Sequence, residues 1–579
     1  MIDIDSALRD RYPDLFKKYP DFISKSTICI LKKLFCEDKI NDFLSKNSHL
    51  KNTEFIDAVL KYADFKYNID TDSMENIPKS GRIIFISNHP LGGLDALSLM
   101  SLISKVRKDV KILANEILVN IKPISDMLIP VDNINGKSSR NAIKMIDDTL
   151  KDEGAIIIFP AGEVSRARPF GIKDSKWNGG FLKFAKKRSV PIVPIHINAK
   201  NSPLFYIVSL IHKPLGGLLL GREIFNKKGK SLSIKVGEII PYKNIIMPEI
   251  NHDNNTLKLL KKHLYNIGKN KKDVFKTQKC IANKSDKEEV AKEISQGEIL
   301  GHTKDGKKIY LCQTPQKSPL LLEIGRLREF TFRKVGEGTG KAYDIDEFDL
   351  YYKHLILFDE IEKEIVGAYR IGETNTILPN LETERLYTQT LFDFSSKASF
   401  LLRDSAELGR SFVQPKFWGS RALDYLWYGI GAYLVNYPQT KFLFGPVSIS
   451  ASYPKTARDM MIFFYKKHFN KNADIVISKN PYIIAKQESS ELEKLFNAST
   501  YEEDFKILKD SLAIYNLSVP TLYRQYSELC DEGGVNFLDF GLDAEFDDCA
   551  DGFIVIETAL IKDVKKQRYI GSNLKKIVN

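Results

Sequence analysis

Two α/β domains of different design, the first carrying a helical cap, are the fold this sequence predicts, and three observations predict it. A chain of 579 residues is too long for one hydrophobic core. In the first half, short β-rich runs alternate with segments of helical period, the pattern of a largely parallel sheet covered on both faces. After a Lys-rich stretch the second half restarts with its own order of elements, and no internal repeat links the halves.

Residues 1–75 carry apolar positions at helical spacing, as in STICILKKLFCEDKINDFL and KNTEFIDAVLKYADF, and form the cap of the first domain. The body of that domain, 76–265, begins with GRIIFISN, a strand that ends in the turn NHPLGG before LDALSLMSLISKV returns to helical period. VKILANEIL follows, then MLIPVDN (127–133) as a strand ending in a turn. The helix SSRNAIKMIDDTLKDEG and the strand AIIIFP come next. After the loop AGEVSRARPFGIKDSKWNGG stand the helix GFLKFAKKRS and the strand VPIVPIHIN. Lysines with few apolar anchors mark 266–289 as a surface linker. The second domain, 290–579, opens with the helix LLLEIGRLREFTFRKV. YYKHLILFD and EIVGAYRIG form a strand pair, and the strand SAELGRSFV feeds the helix ALDYLWYGIGAYLVNY.

Composition narrows the function. An apolar share of 43% with 28% charged residues is that of a folded chain. Lys and Arg exceed Asp and Glu by 86 to 74, a formal +12, so polyanions are the favoured partners: anionic lipid, an acidic carrier protein or nucleic acid. No zinc-finger, RNP or KH pattern is present, and nucleic acid drops out. Six cysteines without a CxxC pair or a Cys/His metal spacing fit reduced thiols in a cytoplasmic protein and no metal site. The amino terminus lacks the form of a secretory signal, and no run reaches the roughly 18 apolar residues of a spanning helix. The expected place is the cytoplasmic face of the inner membrane, bound peripherally. PLFYIVSLIHKPLGGLLLG (203–221) is either the membrane-contacting segment or a strand and helix of the core.

An alcohol attacks a thioester usefully only when a base removes its proton, and a histidine oriented by a carboxylate supplies that at neutral pH. His89 and Asp95 fit those roles at the end of the strand GRIIFISN, with Gly92 and Gly93 allowing a tight turn and Asn88 beside them. Transfer to an amine needs a base and a helix amino terminus for the donor's phosphate. Glu407 and Arg410 on SAELGRSFV, followed by Lys416, Gly419 and Ser420 at the start of the next helix, offer both. Asp344, Asp346 and Asp349 in DIDEFD would bind ammonium groups, a metal, or water at a turn. Glu323, Arg326 and Arg328 would engage an acceptor carboxylate or form the charged face of an amphipathic helix. His354 reads as packed rather than catalytic.

In order, NHPLGGLD, IIIFPAGEVSRARPF and VPIVPI resemble the glycerolipid acyltransferase family. By that resemblance His89 is the general base and Asp95 its orienter. Phe159, Pro160, Gly162, Glu163, Ser165 and Arg166 form the acceptor block, with Arg166 and Arg168 placed to fork onto a carboxylate, and MLIPVDN is a further block. The His-to-Asp spacing is one residue longer than usual, and Ala161 stands where a glutamate is common, which points away from a phosphorylated acceptor and toward a lyso-aminolipid. From RLREFTFRKVGEGTG to GFIVIETALIKDVKKQRYIG, the second half resembles ornithine-lipid N-acyltransferases and the so-called putative hemolysins, with an acetyltransferase-like (GNAT) fold.

The whole chain resembles bifunctional ornithine-lipid synthases. The resemblance implies that the second domain joins a 3-hydroxyacyl group to ornithine and the first esterifies its hydroxyl. Acyl carrier protein, through its phosphopantetheine thioester, would be the donor, with no bound cofactor. Other readings are a synthase using glycine or another amino acid, a lysophosphatidate acyltransferase, and a membrane-active lipid-binding protein.

Overall fold

A computed structural model describes residues 37–115, 121–131, 140–169, 171–211, 219–246, 253–378, 383–470 and 474–571, with residues 5, 28, 29, 32, 33 and 118 besides. The chain forms two compact units, Met1–Cys280 and Ile281–Asn579. The division falls inside the stretch 266–289, whose first part is anchored to the first unit: Phe275 is buried and Gln278 bridges to Ile239.

In the first unit, α1 (Glu37–Lys46) and α2 (Asn52–Tyr62) belong to the cap, and α2 buries Phe55, Ile56 and Leu60. Helical period does not run through the whole of 1–75, because Lys66–Ile69 is a strand, β1. It pairs in parallel with β9 (Ser231–Val236), 165 residues downstream by the Lys66 to Ser231 register, a partner no local pattern announces. The remaining strands are β2 (Ile83–Ser87), β3 (Val110–Asn115), β4 (Leu128–Val131), β5 (Ala155–Ile158) and β8 (Ile192–Asn198). They build one seven-stranded sheet in the order β1-β9-β8-β2-β5-β3-β4. From β8 to β4 all pairs are parallel, and only the β8–β9 pair is antiparallel.

β2 lies between β5 and β8 with all its residues buried, which is why it reads as an unbroken apolar run. The helices α3 (Gly93–Ser104), α4 (Arg140–Lys151), α5 (Gly180–Arg188) and α8 (Asp253–Gly268) accompany the sheet. The hairpin β6 (Arg166–Arg168) and β7 (Gly171–Lys173) projects from the loop after β5. Two short helices, α6 (Pro203–Ile211) and α7 (Leu220–Asn226), stand between β8 and β9. Residues 203–211 are therefore helical and not a core strand; His212 and Lys213 lie outside the described residues.

In the second unit an eight-stranded sheet runs β10-β11-β12-β13-β15-β16-β19-β18. Its strands are β10 (Glu298–His302), β11 (Lys308–Gln313), β12 (Lys353–Asp359), β13 (Glu364–Glu373) and β15 (Ser405–Val413). β16 (Phe442–Ile449), β18 (Val535–Asp543) and β19 (Cys549–Glu557) complete it, while β14 (Phe392–Phe394) and β17 (Val476–Ser478) form a separate antiparallel pair. Before β10 comes α9 (Lys287–Ile294); α10 (Pro319–Lys334), capped by Ser318, precedes β12, and α11 (Ala422–Asn436) follows β15. Every neighbouring pair is antiparallel except β15 with β16, and that pairing stops at Glu407–Phe444. There the backbones nearly touch, since a Cβ on Gly445 would fall 2.0 Å from the Leu408 carbonyl oxygen. Only glycine passes at that point. Beyond it the two strands part, and Arg410 takes a positive φ of 48° where β15 slips register against β13.

Candidate functional site

The first unit places His89 in the loop between β2 and α3. That loop closes on itself through Asp95: its Oδ2 accepts the Leu91 amide at 2.7 Å and the Gly92 amide at 3.1 Å, and Gly92 turns the chain at φ +92°. His89 Nδ1 lies 3.2 Å from the same oxygen. Asp95 is fully buried; burial raises its carboxyl above the usual range, opposed by His89 and the two amides. The imidazole stacks on Phe159 with centroids 3.9 Å apart, so Phe159 is a shelf for the base. A histidine held at Nδ1 by a buried acid presents Nε2 to an incoming hydroxyl.

Asp174 laces the segments of His89 and Ser165 together, although nothing singles it out in the loop AGEVSRARPFGIKDSKWNGG. Its Oδ1 accepts the Ser165 hydroxyl at 2.5 Å and the His89 amide at 3.3 Å, and its Oδ2 accepts Trp177 Nε1 at 2.9 Å. The Ser165 amide in turn donates to the His89 carbonyl at 2.7 Å. Ser165 is thus a buried strut, and Asn88 is another, its side-chain amide giving and receiving hydrogen bonds with Ile197 at 2.8 and 2.7 Å. Pro160 is buried, its carbonyl accepting from Asn178, while Gly162 is exposed at φ +66°. Gly93 begins α3. Arg166 donates to Ser209 on α6 at 2.5 Å, lies over Phe205, and comes within 3.9 Å of Glu163. Of the block MLIPVDN, Asp132 and Asn133 lie outside the described residues.

The second unit gathers its charged residues in a buried cluster. Arg328 on α10 donates to Asp349 at 2.7 Å with both side chains fully buried, and its other arm lies 3.3 Å from His354 Nδ1. Arg370 on β13, which the sequence does not announce, pairs with Asp346 and, at 3.2 Å, with Asp349. The rings of Phe348, Tyr352 and Tyr387 surround its guanidinium. Arg410 reaches Asp344 at 3.3 Å, Asp346 at 3.5 Å and the Tyr387 hydroxyl at 3.1 Å. Burial alone would raise Asp349, but the charges of Arg328 and Arg370 hold it well below the usual carboxylate range. Burial drives His354 down to about 3, a neutral core histidine. The three aspartates of DIDEFD are therefore held by arginines; among the described residues no group of His, Cys, Asp and Glu is placed to hold a metal ion. Glu323 and Arg326 pair with each other at 2.5 Å.

Glu407 is buried on β15 at the last step of its pairing with β16. Its carboxylate accepts the Tyr352 hydroxyl and the amides of Tyr387 at 3.2 Å and Thr388 at 2.7 Å, and burial raises its proton affinity. Asp551 on β19, opposite Ser448 of β16, also escapes sequence reading. Burial and neighbouring Asp543 push it up to about 7. Lys416, Gly419 and Ser420 stand exposed before α11: Lys416 pairs with Glu364, and the Ser420 hydroxyl donates to the Phe417 carbonyl at 2.6 Å.

The acyltransferase family matches residues 6–273, and the acetyltransferase (GNAT) domain family matches residues 327–428. A glycine N(alpha)-acyltransferase of Bacteroides thetaiotaomicron is 36% identical over 46% of this chain and 82% of its own length. A lyso-glycine lipid O-acyltransferase of the same organism is 31% identical over 42% of this chain and 89% of its own. An L-ornithine N(alpha)-acyltransferase of Agrobacterium fabrum is 31% identical, but over 19% of this chain and 39% of its own length.

Proposed function

Since the chain belongs to the acyltransferases of aminolipid synthesis, we propose that it makes a diacylated glycine lipid in two steps, one in each unit. In the second unit the glycine amine attacks the thioester of a 3-hydroxyacyl group, the carrier's thiol leaves, and Glu407 takes the amine's proton. In the first unit the hydroxyl of the resulting lyso-lipid attacks a second thioester. His89 Nε2 removes its proton, Asp95 steadies the imidazolium, and the thiol again leaves. The donor is acyl carrier protein, whose phosphate lies against the amino end of α11 near Lys416, Gly419 and Ser420.

One observation carries the choice of head group. Ornithine brings a second ammonium that needs a free carboxylate, whereas Asp344, Asp346 and Asp349 already face Arg328, Arg370 and Arg410. Glycine asks for no such partner, and the relatives named for glycine match over more of their length than those named for ornithine. Purified full-length chain, given 3-hydroxyacyl carrier protein with glycine or ornithine, decides the point by mass spectrometry of the lipid product. Equal or faster use of ornithine would transfer the head group to the second reading.

A further inference from the structure

The helix α6 next to the first site carries an apolar stripe that none of the described residues covers. Leu204, Ile207 and Leu210 are 47, 56 and 70% exposed and recur every three residues, so they share one side of the helix. The other side is fixed: Phe205 is fully buried, and Ser209 is buried where it receives Arg166. The start of the helix is bolted down as well. Glu223 of α7 accepts the amide and hydroxyl of Ser202 at 2.8 and 2.7 Å, and the Ser202 hydroxyl in turn accepts the Phe205 amide at 3.2 Å. A firmly held helix showing large aliphatic side chains to solvent is uncommon on a soluble surface and fits an apolar partner.

Charge at its margins selects the partner. Exposed cations stand on the elements that adjoin α6: Arg168 on the β6–β7 hairpin that packs on it, Lys200 just before the helix, and Arg222 on α7. Aliphatic residues beside cations suit an anionic bilayer, where the side chains enter the acyl boundary and the cations meet headgroups.

We propose that α6 is the bilayer-seated element of the first unit, with Leu204, Ile207 and Leu210 inserted into an anionic leaflet. Arg166 ties this helix to the block that contacts His89, so seating α6 brings the His89 site to the lipid surface. The inference rests on the first unit acylating a membrane-borne lyso-lipid, and it is tested without that reaction. Full-length chain carrying Leu204→Ser, Ile207→Ser and Leu210→Ser is expected to bind phosphatidylglycerol-containing vesicles roughly tenfold or more weakly than the parent. Its rate on a water-soluble, short-chain acceptor should match the parent's. In Ile207→Trp the added indole should be quenched by brominated lipids. Vesicle binding at the parent's level in the triple variant, or no added quenching in Ile207→Trp, overturns the proposal. So does a triple variant that changes oligomeric state while still binding vesicles, which would make a second copy the partner. Failure of the lyso-lipid reading shows separately, as a parent that binds vesicles yet acylates no acceptor.

Discussion

The two candidate sites solve the placement of a reactive group in opposite ways. In the first unit a single loop of a few residues does the work: Asp95 ties off its own turn and meets His89 at 3.2 Å, leaving the imidazole partly open to solvent. In the second, groups from α10, β12, β13, β15 and the segment 344–349 interlock, and Arg328, Asp349 and His354 have no exposed surface. A loop site separates chemistry from folding, while a buried ionic network joins them.

The largest effects should divide along that line. His89→Ala is expected to slow the second acylation by about 10²–10⁴-fold, the usual contribution of a general base. The monoacylated lipid should accumulate and the thermal unfolding of the chain should hardly move. Glu407→Ala should abolish aminolipid formation and also lower the unfolding midpoint, because the Tyr387 and Thr388 amides lose their acceptor. A normal diacylated product from the His89 variant would break the assignment of the first site. A Glu407 variant that folds as the parent does would show that the two sites differ less than their geometry says.

Next in size, Asp349→Asn leaves Arg328 and Arg370 buried with one partner charge fewer. Breaking a buried pair in this way costs about 3–5 kcal/mol. Denaturant unfolding followed by a probe in the second unit should report that loss, with the first unit's transition unchanged.

The same contrast explains what the sequence reveals. His89 and Asp95 are legible because strand, turn and helix lie within one short segment, and the turn glycines mark the place. The alternating strands and helices of the first unit are legible for the same local reason. The strand β1 is not, since its edge partner β9 lies far downstream and a four-residue strand leaves almost no periodic trace. In the second unit Arg328, the three aspartates and Arg410 stand out as charges among apolar residues, but their mutual pairing does not. Arg370 in GAYRIG and Asp551 in CADGF look like ordinary strand polarity until the sheet buries them. Asp174 hides in a polar loop, where only the three hydrogen bonds to its carboxylate give it meaning.

Asp551 sharpens the comparison through pH. Its folded-state pKa of about 7 lies above the ordinary 3.8, so the folded chain holds a proton that the unfolded chain releases. Its contribution to stability is complete below about pH 4 and is lost as pH rises through about 7. The second unit should therefore unfold more easily at pH 8 than at pH 5. Asp551→Asn should flatten that decline by at most about 3 kcal/mol and stabilise the unit at pH 8. An unchanged pH slope in this variant would remove Asp551 from the account.

The smallest expected effect probes the backbone of the loop site. Gly92 holds φ +92° and ψ −123°, a conformation that L side chains rarely adopt, and an added Cβ would meet Val164 at 3.4 Å and Leu220 at 3.5 Å. Those contacts are tolerable, so the cost of Gly92→Ala lies in the dihedral angles, about 1–3 kcal/mol. The substituted chain can relieve that strain only by moving the amides of Leu91 and Gly92 away from Asp95 Oδ2, the oxygen that also faces His89. Gly92→Ala should therefore lower the rate of the second acylation while formation of the monoacylated lipid keeps its parental rate, measured with carrier-bound donor and each acceptor separately. Equal losses in both steps would mean that the two units do not work independently, and the contrast between a loop site and a buried network would lose its functional meaning.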